Sequence, residues 1–238
     1  VRQPRAAGFA LRARLAPAWR QPAVQQLQPD IERGCREVGL EASATMLASL
    51  ADFVLLLEKW NRVYNLTAVR EPRAMVARHI LDSLVVLPWI GSGRLLDVGT
   101  GAGLPGIPLA IARPDLAVTL LDANAKKLRF VRQAVAELQL DNVELVHTRM
   151  QQYRPAQAFD MVISRAVADL RELYTATAHL VRPGGRQLFM KGGYPQSELT
   201  GFVPPGPLHV ERLQVPSLQA ERHLVWIDTE QESDSRRQ

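Results

Sequence analysis

The sequence predicts an α/β protein: a parallel, doubly wound sheet, preceded by a helical region and finished by an antiparallel hairpin at one edge. Three observations carry this. From residue 94 onward, short apolar runs alternate with amphipathic helical stretches, the rhythm of strand–helix–strand units. Before residue 92 the apolar positions recur at helical spacing. After residue 207, two strand-like runs are joined by a loop too short for a crossover helix, so they must pair antiparallel.

The elements follow in order. Over 43–63, apolar residues at 46, 47, 50, 53, 54, 57 and 60 match the i, i+3, i+4, i+7 template. Glu71-Pro72 opens a further helix, with Pro72 in the first turn, where its missing N–H costs little. Met75, Ile80, Leu84 and Leu87 continue it until Pro88, Gly91 and Gly93 close it. The helical region is thus placed at 30–91. Next come RLLDV (94–98) as strand, GIPLAIA (106–112) as helix, AVTLLD (117–122) as strand and NAKKLRFVRQAVAEL (124–138) as helix. NVELVH (142–147) and FDMVIS (159–164) are the third and fourth strands. DLRELYTATAHLV (169–181) is helical, and RQLFMKG (186–192) is the fifth strand. LHVERLQV (208–215) and ERHLVWID (221–228) form the hairpin. The sheet-bearing domain covers 92–229, with a short tail at 230–238.

Composition bounds the function. The 238 residues are 47% hydrophobic and 22% charged, ordinary for a soluble globular protein. The longest apolar runs, such as LVVLPWI (84–90), fall well short of a membrane span. A single cysteine, Cys35, excludes an internal disulfide framework and a Cys-based zinc site. The five histidines lack ligand-like spacing, so no metal is expected. Residues 1–29 hold five arginines and no acid, which equals the whole-chain net charge of +5. Residues 30–238 are therefore neutral overall, and any nucleic-acid surface on the body must be a local patch. The segment 1–29, with four prolines, reads as a flexible basic tail.

The most informative stretch is DVGTGAGLPG (97–106). Gly99, Gly101 and Gly103 directly follow the first strand, where a turn needs positive φ and close backbone approach. Asp122 closes the second strand, where an acid can accept hydrogen bonds from ribose hydroxyls. Together they predict an adenosine site at the sheet's C-terminal end. A dinucleotide would rest its pyrophosphate on free N–H groups of the following helix. Pro105 and Pro108 remove two of those donors, and Asp97 adds a negative charge beside them. A cationic, phosphate-free ligand loses nothing there, which favours S-adenosylmethionine over NAD.

At this point the residues carry a resemblance. LEKWNRVYNLTAVR (57–70), RHILDSL (78–84), DVGTGAGLPGIPLA (97–110), LLDANAKKLRF (120–130), ISRAVA (163–168) and KGG (191–193) together resemble the RsmG family, also called GidB, over about residues 30–229. The resemblance implies a class I S-adenosylmethionine-dependent methyltransferase: a Rossmann-like seven-stranded sheet with an N-terminal helical extension. It implies a cytoplasmic enzyme that methylates N7 of a guanine in the decoding-region loop of bacterial 16S rRNA. Its partner would be the rRNA or the small ribosomal subunit, with no metal and no membrane, and nothing requires more than a monomer. By matching position, cofactor contacts carry over to Gly99, Leu104, Met150, Gln151 and Arg165. The family usually has an acid where this chain has Gln151.

The residues agree with that chemistry. Guanine N7 has an exposed lone pair, so no general base is needed and none is assigned; alignment is the requirement. After the fourth strand, where enzymes acting on exocyclic amines often place Asn/Asp-Pro-Pro-aromatic, this chain reads Ser164-Arg165-Ala166. Arg165 is the candidate for positioning substrate and cofactor, its alternative being a structural ion pair with Asp169 or another carboxylate. Arg70, Arg73, Arg78, His79 and Lys191 are candidates for a groove contacting rRNA phosphates, although Arg78 and His79 could equally serve partners beside the cofactor. The run Lys126, Lys127, Arg129, Arg132 reads as a solvated helix face. Asn61 and Asn65 are placed at the turn after the long helix. Competing readings are a methyltransferase for a small molecule or protein, an NAD-dependent oxidoreductase, and a non-catalytic nucleotide sensor.

Overall fold

The structure, a computed structural model, describes residues 21–165 and 169–231. The basic tail expected over 1–29 falls outside the described residues up to position 20, as does the C-terminal tail beyond position 231. Residues 21–29 are helical: α1 runs Gln21–Glu37, starting nine residues before the expected boundary, with Pro29 inside it. Pro29 sits on the exposed side, while Val24, Leu27, Ile31 and Cys35 form a buried stripe at helical spacing. Burial of that stripe outweighs the one hydrogen bond the proline removes.

Helix α2 (Ala44–Tyr64) starts where Ser43 accepts from the Met46 N–H and stops at Asn65, left-handed at φ 50°. Its Phe53 and Trp60 rings pack on Phe130 at 6.2 and 5.8 Å between centroids, joining the helical region to the sheet layer in one continuous core. Glu71 caps α3 (Pro72–Met75) by accepting from the N–H groups of Arg73 and Ala74. The chain then widens into a π-helical turn, Val76–Leu81, before α4 (Asp82–Leu84) and a 3₁₀ turn at Leu87–Trp89.

The sheet begins with β1 (Arg94–Val98) and α5 (Gly106–Ala112), then β2 (Ala117–Asp122) and α6 (Ala125–Leu138), with Asn124 capping α6. β3 (Val143–His147), β4 (Phe159–Arg165), α7 (Leu170–Thr177) and β5 (Val181–Lys191) follow, then α8 (Gln196–Leu199), β6 (Leu208–Arg212) and β7 (His223–Asp228). The strand order is β3-β2-β1-β4-β5-β7-β6. Five strands are parallel, and β7 pairs antiparallel with both β5 and β6. The order reverses at β1, whose neighbours are β2 and β4, so the ligand crevice belongs at the C-terminal ends of β1, β2 and β4. This is the seven-stranded class I methyltransferase sheet. Among the described residues, no helix is long and apolar enough to cross a membrane and no group of three side chains could hold a metal.

Candidate active site

The loop after β1 is shaped by glycine at alternating positions, with φ of 68° at Gly99, 59° at Gly101 and 79° at Gly103. Backbone and carboxylate bonds then pin it to β2. The N–H groups of Gly99 and Thr100 donate to the Leu121 carbonyl at 2.8 and 3.0 Å, and Gly101 N–H donates to Asp122 Oδ2 at 2.8 Å. Asp97 lies beneath, fully buried, accepting from Thr100 Oγ1 at 2.6 Å and Gly106 N at 2.9 Å on one oxygen. Its other oxygen is buried without a hydrogen-bond partner.

Above this loop opens a cleft of about 590 Å³. Of the nine cofactor candidates, Gly99, Gly101, Leu104, Asp122, Met150, Gln151 and Arg165 line it; Asp97 and Gly103 do not. Those two act from behind, Asp97 by fixing the loop and Gly103 by leaving room for Ile107. Leu66, Thr67, His79, Lys127, Thr148 and Arg149 also line the cleft, brought there by the chain after α2, the π-helical turn, α6 and the loop after β3. Lys127 thus departs from its neighbours, which remain on the exposed face expected of them.

The first turn of α5 has no N–H to offer a phosphate. Pro105 and Pro108 carry none, Gly106 N–H is given to Asp97, and Ile107 N–H is given to the Gly103 carbonyl at 2.8 Å. A pyrophosphate placed there would find no donor and would lie near the buried negative charge of Asp97. The buried negative charge of Asp97 behind the loop, the cleft-lining carboxylate of Asp122 and the donor-free helix end fit the adenosine and cationic methionine of S-adenosylmethionine. They disfavour NAD.

His79 is buried at the edge of the cleft, away from the exposed surface where a phosphate contact would require it. Nδ1 lies 2.8 Å from the Arg78 carbonyl, so Nδ1 carries the proton, and Nε2 accepts from the Thr67 hydroxyl at 2.8 Å. Burial, and then the charge of Arg165, lower its pKa to about 4. Burial pushes Asp97 the other way, up to about 6, against the bonds from Thr100 and Gly106 that hold it down. The signs oppose. The neutral His79 contributes stability in full above pH 6.5 and loses it as pH falls to about 4; the cost of ionising Asp97 grows as pH rises from 3.8 to about 6. We expect the stability gap between wild type and His79→Asn, measured by urea unfolding, to widen by about 3 kcal/mol from pH 4 to 6.5. A gap that stays constant with pH would contradict this neutral, buried state.

Arg165 is the last residue of β4. It lines the cleft, and its guanidinium pairs with a carboxylate, but the partner is Asp82 at 2.9 Å. Asp169 instead caps α7, accepting from Arg171 N–H. Asp82 is buried and also receives Arg222 Nε at 2.6 Å, so one carboxylate from α4 bridges the ends of β4 and the entry to β7. Ser164 Oγ donates to the Val98 carbonyl, locking the end of β4 to that of β1. Neither Asp82 nor Arg222 was marked by the sequence, since 140 residues separate them and their motifs say nothing of pairing.

The RNA candidates separate into two groups. Arg73 and Arg78 are exposed, and Arg70 is exposed while its guanidinium ties the Asn61 carbonyl to Asn65 Oδ1. Lys191 is not open: its side chain is 11% exposed and donates to Glu198 Oε2 at 2.6 Å. Asn61 orders the turn as expected, donating to the Val69 carbonyl and accepting from Thr67 N–H.

The family model GidB, described as rRNA small subunit methyltransferase G, matches residues 46–225. The chain is 51% identical over 205 residues to the ribosomal RNA small subunit methyltransferase G of Methylobacillus flagellatus, covering 86% of this chain and all of that one. It is 48% identical to the protein of the same name from Laribacter hongkongensis, over 84% of this chain and 98% of that one. The Methylococcus capsulatus protein, again of the same name, is 50% identical over 83% of this chain and 96% of its own.

Proposed function

The chain belongs to the GidB family of rRNA small subunit methyltransferases, and on that premise we propose that it methylates N7 of a guanine in the decoding-region loop of 16S rRNA. S-adenosylmethionine, when bound, supplies a sulfonium methyl: the N7 lone pair forms the new C–N bond as the C–S bond breaks and its electrons return to sulfur. The chain's own residues bind and align. Asp122 meets the ribose, Met150 and Gln151 the adenine, and Arg165 stands at the junction of cofactor and base. Arg70, Arg73 and Arg78 offer charge to phosphates. The partner is 16S rRNA or the small subunit, the setting is the cytoplasm, and one copy suffices because a single chain builds the cleft.

The observation that favours N7 is the state of His79. It is the only imidazole on the cleft among the described residues, and both of its nitrogens are already engaged. Asp122 is likewise engaged, one oxygen accepting from Gly101 N–H and the other from Asn124 N–H, and its remaining lone pairs are those the ribose hydroxyls would use. The cleft therefore offers no idle base, which suits an acceptor that has no proton to lose. Incubation with labelled S-adenosylmethionine and under-methylated small subunits or naked 16S rRNA should place label on one guanine N7. Label at another atom, or on no RNA, would overturn the assignment.

Gln151 gives a second measurement. As an amide it accepts from the adenine N6 amine without charge, and a carboxylate there would make a charge-assisted bond. Gln151→Glu should tighten S-adenosylmethionine binding by roughly three- to tenfold in calorimetry. An unchanged or weaker affinity would show that this side chain does not face the adenine.

A further inference from the structure

Tyr194 lies three residues past the end of β5, at the sheet end that carries the cleft. It is one of four large apolar side chains left exposed among the described residues, at 53%. Its ring stands perpendicular to that of His223, 5.4 Å away between centroids. His223 follows Arg222, which grips Asp82, which grips Arg165 on the cleft wall. An unbroken line of contacts therefore runs from the cofactor cleft to an exposed aromatic ring.

The two residues before it sharpen the point. Neither Gly192 nor Gly193 has positive φ, so the backbone does not demand glycine. A Cβ on Gly192 would meet nothing within 4 Å, and one on Gly193 only the tip of Glu221 at 4.0 Å, so packing does not demand it either. The bare backbone leaves open space at the two positions that lead from β5 to the tyrosine.

We propose that Tyr194 is the platform on which the target guanine stacks, with Gly192 and Gly193 clearing the space that the base enters. The proposal rests on the rRNA-methyltransferase reading. A base drawn out of an RNA loop loses its stacking neighbours, and an aromatic face restores them without regard to sequence. Stacking also fixes the base plane, which in turn fixes where the N7 lone pair points. Tyr194 is here a positioning residue for the acceptor and has no part in holding the methyl donor.

The test compares wild type, Tyr194→Phe, Tyr194→Ala and Gly192→Val on 16S rRNA with labelled S-adenosylmethionine. Tyr194→Phe keeps the ring and should match wild type. Tyr194→Ala should lower kcat/KM for RNA by about 5- to 100-fold while S-adenosylmethionine Kd and the urea midpoint stay unchanged. Gly192→Val, which fills the open space, should impair RNA methylation with the same two controls unmoved. If Tyr194→Ala keeps the wild-type kcat/KM, or loses it only in step with cofactor affinity or folding stability, the stacking role is overturned. If wild type itself labels no RNA, it is the underlying functional reading that fails.

Discussion

Asp82→Ala should destabilise the protein by about 3–5 kcal/mol and strip it of most methyl transfer. The side chain of Asp82 is 3% exposed, and those of its two partners, Arg165 and Arg222, are 19% and 23% exposed. Removing the carboxylate leaves two guanidiniums, one from β4 and one from the residue before β7, without the counter-charge they share and with little water. That uncompensated repulsion, more than the lost attraction, sets the size of the effect. Folded domains are stable by only about 5–15 kcal/mol, so the variant would lose a large fraction of its margin. Activity should fall further than stability alone explains, because Arg165 is held against the cleft by this pair. Denaturant unfolding and single-turnover methylation below the variant's melting point separate the two. A companion variant checks the cause: Asp82→Leu combined with Arg165→Met and Arg222→Met removes every charge and should recover much of the stability but none of the activity. A loss under about 1 kcal/mol for Asp82→Ala would mean that the arginines find other partners and that the bridge is incidental.

Much of this was legible in the chain, for identifiable reasons. The strands were readable because a parallel sheet buried on both faces demands continuous apolar runs, and RLLDV and AVTLLD match β1 and β2 end to end. The glycine loop was readable because positive φ restricts residue choice at 99, 101 and 103. The start of α1 was not, since Pro29 and the lack of acids look like a break until the buried stripe on the other face is seen. The π-helical turn left no mark in the sequence, because backbone hydrogen-bond register has no side-chain signature; it is what carries His79 into the cleft. Likewise the charge run at 126–132 reads as one solvated face, and only three-dimensional placement singles out Lys127. The Asp82 bridge joins segments 83 and 140 residues apart, beyond the reach of any local pattern.

The second large effect belongs to Gly103→Ala, which we expect to weaken S-adenosylmethionine binding by about 100-fold or more. Two independent costs meet at this position. Its φ of 79° is left-handed, where a Cβ costs about 1–2 kcal/mol. The new Cβ would also stand 2.5 Å from Ile107 Cδ1 and 2.8 Å from Cγ1, and Ile107, in the first turn of α5, is fully buried in the core. Either the buried Ile107 side chain turns away against its core neighbours or the loop moves, and if the loop moves, the bonds from Gly99, Thr100 and Gly101 to the end of β2 move with it. Because Gly103 does not itself line the cleft, any loss of affinity must come through this displacement rather than through a blocked pocket. Gly101→Ala provides the contrast. It shares the positive φ, but its Cβ would have no neighbour closer than 3.8 Å, so it should lower folding stability far less than Gly103→Ala. Calorimetric titration with S-adenosylmethionine and urea unfolding on both variants decide the matter. Equal stability losses would mean that φ alone governs the loop, and a Gly103→Ala protein that binds S-adenosylmethionine normally would show that the loop can reach the cofactor without its native bonds.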